Sequence, residues 1–513
     1  MNGIKRAVLA GAFLAGAIGV GGYGGNVPCT VPEGARAGEL FLSDCIYTGA
    51  DGVEYVADCG TWVVPENRSD PGSRPIALPV VRVRAVGVAP TEPIFWLSGG
   101  PGGSNMVVSG LEWFLEDHDV VMVGYRGVDG SVVLDCPEVP RALRKTGGDL
   151  ASPEALTRYG QALARCAESF RAQGVDIDGY NVLEVVEDLE SARSALGYER
   201  INLFSASYGT RLAQYYAHVY PDSLYRSAMV SVNPPGHFVW EPNVLDAMIE
   251  ADAALCAQDP GCSARTDDLA ETVRSVVHDM PDRWLFVPID PGKVTFVTQF
   301  MLFHRGSAAA AYDAYIAAKQ GDASGLAVMS LMFDQMIPTS VVWGEWSAKG
   351  GMDYDPERDW LNEMNPPGSI IGSPVSLLAG GGTLGGSWPV TSLPQWMHEA
   401  QPSDHETLLV GGNADFSTPV QFATNELLPL LSNGQQVILT EMGHTNDVFG
   451  LQTDAMFHLL ATFFDTGEVD DSRFEVQPMS FDVSLGFPDM AHAVVNAAVA
   501  VGLIIAAALV VLF

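Results

Sequence analysis

The sequence predicts an α/β protein: a mostly parallel sheet flanked by helices, with a largely helical segment inserted between strands. Three observations lead there. Short apolar runs bounded by turn residues alternate with segments of helical periodicity up to residue 232. The alternation then stops for roughly 160 residues rich in helical patterns and tryptophan. It resumes at "ETLLVGG" (406–412) and "QVILTEM" (436–442).

The elements follow in chain order. Residues 25–75 are rich in glycine, proline and turn residues. "PIALPVVRVRAV" (75–86) alternates like a strand. "EPIFWLS" (92–98) and "HDVVMVGY" (118–125) are continuous apolar runs, the pattern of strands covered on both faces. Between them lies "GGPGGS". Residues 152–174 and 181–199 have amphipathic helical spacing, the first with a serine start. "RINLFSAS" (200–207) is a strand, Tyr208 to His218 a helix, and "YRSAMVSV" (225–232) a strand. A last helix is expected from Asp447 to Asp465. The expected organisation is a core in two parts, 26–232 and 396–467, around an insertion at 233–395. An acidic, weakly structured spacer (468–490) follows.

Both ends are apolar. Residues 1–25 combine Lys5 and Arg6 with a run of small apolar residues, the form of a secretory signal or an N-terminal anchor. Residues 491–513 include 21 uncharged residues from Ala493 to Phe513. As a helix they would span roughly 30 Å, the thickness of a bilayer core. A C-terminal membrane anchor or sorting tail is therefore expected. The chain reads as exported, periplasmic or at the cell surface, and held to a membrane.

Composition narrows the function. The 513 residues are 47% hydrophobic and 17% charged, enough for a large core. The net charge is −35, with 22 arginines and 5 lysines. Such a surface repels phosphate backbones, so nucleic acid is not an expected partner. It weakly favours cationic ligands such as a free amine. Seven cysteines in an exported chain permit disulfides. Cys256 with Cys262 and Cys136 with Cys166 are candidate pairs, and two of Cys29, Cys45 and Cys59 could form a third. No spacing fits a zinc site, and neither metal nor cofactor is expected.

The chemistry centres on "SASYG" (205–209). It differs by one letter from G-x-S-x-G, the turn that lifts a nucleophilic serine above the sheet of an α/β-hydrolase. Ser205 replaces the first glycine with another small residue, which the tight turn can accept. Ser207 is the candidate nucleophile. It needs a base, a group to orient the base, and oxyanion donors. His444, in "TEMGHTND", follows the last strand, at the end where active sites gather. His218, at the end of a helix, reads instead as a partner of the helix dipole. Asp415, in "GGNADFSTP", lies just beyond another strand, whereas "SVNPPG" after 225–232 offers no carboxylate. The order Ser207, Asp415, His444 is that of α/β-hydrolases. The N–H of Tyr208 and that of Gly100, in "LSGGPGG" (97–103), are the candidate oxyanion donors.

These segments together resemble the tripeptidyl aminopeptidase and prolyl iminopeptidase branch of serine peptidases with the α/β-hydrolase fold. "SGGPGGS" resembles its H-G-G-P-G loop, with Ser98 at the histidine position. "GYRGVDGS" (124–131) resembles D-x-R-G-x-G-x-S, with Gly124 in place of aspartate and Asp129 in place of glycine. "GGNADFSTP" resembles its acid loop, "GHT" its histidine loop, and "CAQDPGC" a cysteine pair of its cap. The resemblance spans roughly residues 58–465. It implies a serine exopeptidase that removes short peptides or single residues from free N-termini under a closing cap. Glu241, Asp246 and Glu250 are carboxylates of the insertion available to hold an ammonium, and none is assigned. An esterase or amidase on the same residues is the alternative. A third reading, a silent surface-bound protein that keeps the fold, is disfavoured by the complete catalytic set.

Overall fold

The computed structural model describes residues 29–144, 149–385, 387–389 and 391–512, with the backbone alone for 502–512. The expected signal or anchor (1–25) lies outside the described residues.

Eleven strands are described. In chain order they are β1 (Leu40–Thr48), β2 (Glu54–Pro65), β3 (Pro75–Val83), β4 (Ile94–Leu97), β5 (Val120–Val123), β6 (Ile201–Ala206), β7 (Leu224–Val230), β8 (Arg283–Trp284), β9 (Val287–Pro288), β10 (Glu406–Gly412) and β11 (Gly434–Leu439). Nine of them form one sheet in the order β1-β2-β3-β5-β4-β6-β7-β10-β11, and β8 and β9 form a small hairpin in the insertion. Along the nine-stranded sheet, every pairing among β5, β4, β6, β7, β10 and β11 is parallel, while β1, β2 and β3 extend it antiparallel.

The unbroken apolar runs now have their reason. Side chains alternate across a strand, and helices cover both faces of the parallel part. Phe95 and Leu97 of β4 join one core cluster, while Ile94 and Trp96 join the other. Helices Pro153–Ala172 and Val182–Leu196 start at Ser152 and Asn181, whose side chains accept from Ala155 N–H (3.3 Å) and Glu184 N–H (3.1 Å).

β1 and β2 lie within the turn-rich stretch 25–75, where no strand is assigned from the sequence. β1 is half exposed at the sheet edge, so its alternation mixes polar with apolar residues. The Cys45–Cys59 disulfide joins the two strands, Cys136–Cys166 and Cys256–Cys262 form the others, and Cys29 is a buried free thiol. The expected single helix 447–465 is two, Thr445–Leu451 and Thr453–Thr466.

The insertion holds the helices Pro242–Gln258, Leu269–His278, Pro291–Met301, Arg305–Lys319, Ser324–Met336 and Trp343–Gly350. Its glycine-rich stretch forms a π-helix, Leu377–Leu384. The spacer expected at 468–490 is not a free linker. It buries Met479 and Phe481, and Met479 N–H donates to Glu441 Oε2 (2.6 Å). A helix, Phe487–Leu512, begins inside the expected spacer and packs on Ser324–Met336. The tail expected at 491–513 continues this helix. Its side chains are described as far as Val501, and among the described residues no single helix is long and apolar enough to cross a membrane.

Candidate active site

β4 and β6 are neighbours, and the strands that follow each of them lie on opposite sides of that pair. Such a reversal opens a crevice at the carboxyl ends of the strands. The glycine-rich loop leaves β4 on one side of it. Ser207 leaves β6 on the other, immediately before the helix Tyr208–Val219.

Ser207 has φ 52° and ψ −123°, a strained conformation for a residue with a side chain. Its N–H donates to Val230 O (2.9 Å) and its carbonyl accepts from Thr210 N–H (2.9 Å). The turn packs tightly against the β4 loop. A Cβ on Gly209 would lie 2.8 Å from Ser98 O, and one on Gly99 would lie 3.1 Å from Ser207 Cβ. Ser205 is fully buried and fits because its hydroxyl donates to Ala228 O (3.2 Å) in β7.

His444 Nε2 lies 2.9 Å from Ser207 Oγ, and His444 Nδ1 lies 2.8 Å from Asp415 Oδ2. The three residues come from the ends of β6, β10 and β11. The histidine backbone is pinned by its N–H, which donates to Phe303 O (2.6 Å). Asp447 Oδ2 steadies the same turn by accepting from Gly443 N–H (3.1 Å) and Arg305 N–H (2.8 Å).

Asp415 is 0% exposed. Its Oδ1 accepts from Ser417 N–H (2.8 Å) and Thr418 N–H (2.9 Å), and its Oδ2 from the Thr418 hydroxyl (2.7 Å). Burial works to raise its pKa, but His444 and these donors outweigh it and hold the carboxyl below its ordinary value. Burial, with His444 nearby, pushes the neighbouring His304 down to about 4, so that ring stays uncharged at neutral pH. Together the groups can draw a proton from Ser207 Oγ onto His444 Nε2 and stabilise the imidazolium with an ionised Asp415.

A cavity of about 480 Å³ opens on Ser207 and His444, with Gly100 and Tyr208 in its wall. Gly100 has φ +135°, a conformation that favours glycine. Tyr208 opens its helix, so its N–H has no acceptor within that helix. The insertion contributes Phe238, Trp240, Phe300, Phe303 and Trp346. Among the described residues no aspartate or glutamate lines this cavity. The three insertion carboxylates are engaged elsewhere: Glu241 with Arg358 (2.7 Å), Asp246 with Ile370 N–H (2.8 Å) and Glu250 with Arg274 (3.7 Å). His218 lies outside the site, its ring 4.5 Å from that of Trp396.

Several supporting residues had no role assigned from the sequence, although Gly124, Arg126 and Asp129 lie in "GYRGVDGS" (124–131). Asn105 ties the β4 loop to the sheet: its Oδ1 accepts from Ser98 N–H (2.7 Å), and its Nδ2 donates to Trp96 O (3.0 Å) and Val123 O (2.8 Å). Asp129 Oδ2 accepts from Asn105 N–H (2.9 Å) and Tyr125 N–H (2.8 Å). A Cβ on Gly124 would lie 2.6 Å from Pro79 Cγ and 2.7 Å from Asp129 Cβ, so position 124 is closed to a side chain by both residues. Arg126 is fully buried and bonds both oxygens of Asp188 (2.7 Å each).

The family profile described as alpha/beta hydrolase fold matches residues 92–444. Two curated proteins named tripeptidyl aminopeptidase, from Streptomyces coelicolor and Streptomyces lividans, are each 27% identical over 234 residues. That match covers 41% of this chain and 43% and 44% of the relatives, so the chain spans less than half the length of the curated relatives it matches. Among solved structures, a serine hydrolase from Cycloclasticus zankles aligns over 80% of this chain and 100% of its own, at 13% identity and a TM-score of 0.34.

Proposed function

The chain belongs to the alpha/beta hydrolase fold family, and from that premise we propose that it is a serine exopeptidase releasing short peptides or single residues from free N-termini. The observation that carries the catalytic part is the unbroken line of contacts from Ser207 Oγ through His444 to Asp415. Ser207 Oγ attacks the carbonyl carbon as its proton passes to His444 Nε2. The carbonyl oxygen, now an anion, is held by the N–H groups of Gly100 and Tyr208. The C–N bond breaks, and the amine leaves with the proton from His444. Water then hydrolyses the acyl-Ser207 ester, with His444 again as base. The peptidase part is supported by the likeness to the two proteins named tripeptidyl aminopeptidase.

One observation favours a second reading. An ammonium in this aromatic cavity meets no carboxylate among the described residues, and an unpaired charge is expensive to bury. An esterase or amidase acting on uncharged acyl groups fits that wall. The deciding experiment offers the purified full chain, beside Ser207→Ala, a peptide with a free N-terminus and its acetylated copy. Release of N-terminal fragments from the free peptide alone, lost in the variant, is the expected result. Turnover of small esters with both peptides intact gives the second reading, and no turnover of any substrate refutes both.

We also read the chain as exported, since its three disulfides suit an oxidising compartment, and as held to a membrane by the apolar run at its C-terminal end. Recovery of the intact chain in the soluble fraction of carbonate-washed cells would refute the anchor.

A further inference from the structure

The glycine-rich loop after β4 is held from two directions. On the core side stand Asn105, already described, and Tyr125, whose hydroxyl donates to Ser98 O (3.1 Å). On the other side stands the insertion. Val342 N–H donates to Gly102 O (3.0 Å), and Gly102 N–H donates to Glu345 Oε2. Both polar backbone groups of Gly102 are therefore gripped by one short stretch of the insertion. The fit leaves no room for a side chain: a Cβ on Gly102 would lie 2.8 Å from Val341 Cβ and 3.2 Å from Trp346 Cβ.

Glu345 is 0% exposed. Its counter-charge is Lys349, one turn further along the helix Trp343–Gly350 and 1% exposed. Lys349 Nζ pairs with the Glu345 carboxylate and donates to Arg126 O (3.0 Å). Burial holds the Glu345 pKa above its ordinary value, against the opposing pull of Lys349 and Gly102 N–H. Two ions buried together rarely stabilise a fold more than apolar side chains of similar volume would. Packing alone therefore gives no reason for this pair. What Glu345 adds is an anionic acceptor on the loop, two residues from Gly100.

We propose that Glu345 is a positioning residue of the reaction: through Gly102 N–H it sets the Gly100 peptide, so that the insertion completes the oxyanion site. Lys349 pairs with the carboxylate and so offsets part of the cost of burying it. The proposal rests on the reading of Ser207 as nucleophile and Gly100 as oxyanion donor.

The test uses the full chain with Glu345→Ala, Glu345→Gln and the double variant Glu345→Gln/Lys349→Met. The probes are p-nitrophenyl butyrate, for kcat and KM, and a fluorophosphonate, for the labelling rate at Ser207. A loop set slightly wrong should lower kcat and the labelling rate of Glu345→Ala about 10- to 100-fold, with KM nearly unchanged. Glu345→Gln should recover much of that loss, because its amide oxygen still accepts from Gly102 N–H. The double variant, with neither charge buried, should keep both the recovery and the wild-type Tm, so a fold failure of Glu345→Ala does not decide the matter. Glu345→Ala labelled as fast as wild type overturns the proposal alone. So does a glutamine variant as slow as alanine, or a loss confined to KM. Wild type that resists the fluorophosphonate overturns the nucleophile reading and this proposal with it.

Discussion

Gly209→Ala isolates the placement of the nucleophile from its chemistry. The added Cβ would lie 2.7 Å from the Leu97 carbonyl carbon and 2.8 Å from Ser98 O, with Leu97 O closer still. These are backbone atoms of β4 and its loop, so no side chain can turn away. Restoring ordinary contact needs the helix Tyr208–Val219 to recede by about 1 Å. Ser207 and the Tyr208 N–H ride on that helix's first turn. A shift of that size at the reacting centre costs about 100-fold in rate, or roughly 3 kcal/mol of barrier. Overpacking should cost about 1–3 kcal/mol of stability as well. Ser205→Gly separates the two effects. It loses the hydrogen bond to Ala228 O, about 1 kcal/mol, and adds a strand glycine, about another 0.5–1 kcal/mol. It leaves Ser207 where it is. The assay is ester kcat/KM with the fluorophosphonate labelling rate, beside thermal unfolding of each variant. Gly209→Ala should lose both rate and stability, and Ser205→Gly stability alone. Gly209→Ala at wild-type rate, or Ser205→Gly as slow as Gly209→Ala, would refute the reasoning.

Two other outcomes follow from buried carboxylates. Asp415→Asn keeps the shape of the site but offers His444 Nδ1 an amide, and kcat should fall by about 10⁴-fold with the fold intact by circular dichroism; a drop of less than about tenfold would remove Asp415 from the mechanism. Asp252 is buried and accepts from the Tyr312 hydroxyl (2.7 Å). Burial raises its pKa to about 7, the Tyr312 hydrogen bond works against that, and Glu441 adds to it. The folded chain thus holds a proton that the unfolded chain releases near pH 4, so this residue's contribution to stability is lost as pH rises from roughly 4 to 7. Tm of Asp252→Asn should exceed that of wild type at pH 8, and the two should converge at pH 4; parallel Tm profiles would contradict the assignment.

The parallel half of the sheet was legible because strands covered on both faces have few polar residues to blur them. β4 and β5 are each four buried residues in a row. β1 and its neighbour β2 were not legible. β1 exposes alternate residues, and its neighbourhood of glycine, proline and aspartate reads as turns. Ser207, Asp415 and His444, which the structure brings together, could be proposed from the sequence because candidate nucleophile, acid and base are scarce residue types at strand ends, in a fixed order. Glu345 and Lys349 could not. A glutamate four residues before a lysine on a helix is the ordinary signature of a solvated pair. Only the fold reveals that this one faces inward, because the burying surface comes from segments over 200 residues away. Asp129 was visible only as a departure from a motif, with no hint of the atoms it serves.

Asp129 and Gly124 carry a historical consequence. Position 124 has no room for a side chain beside Pro79 and Asp129, and the Asp129 carboxylate receives the N–H groups of Tyr125 and Asn105. The related motif writes aspartate then glycine; this chain writes glycine then aspartate. Between the two spellings, any path of single amino-acid replacements that uses only these two residue types must pass through a protein with two carboxylates crowded together or with none. In this chain the two-carboxylate intermediate would also press on Pro79, whose Cγ lies 2.6 Å from a Cβ at position 124, so Pro79 must give way on any such path.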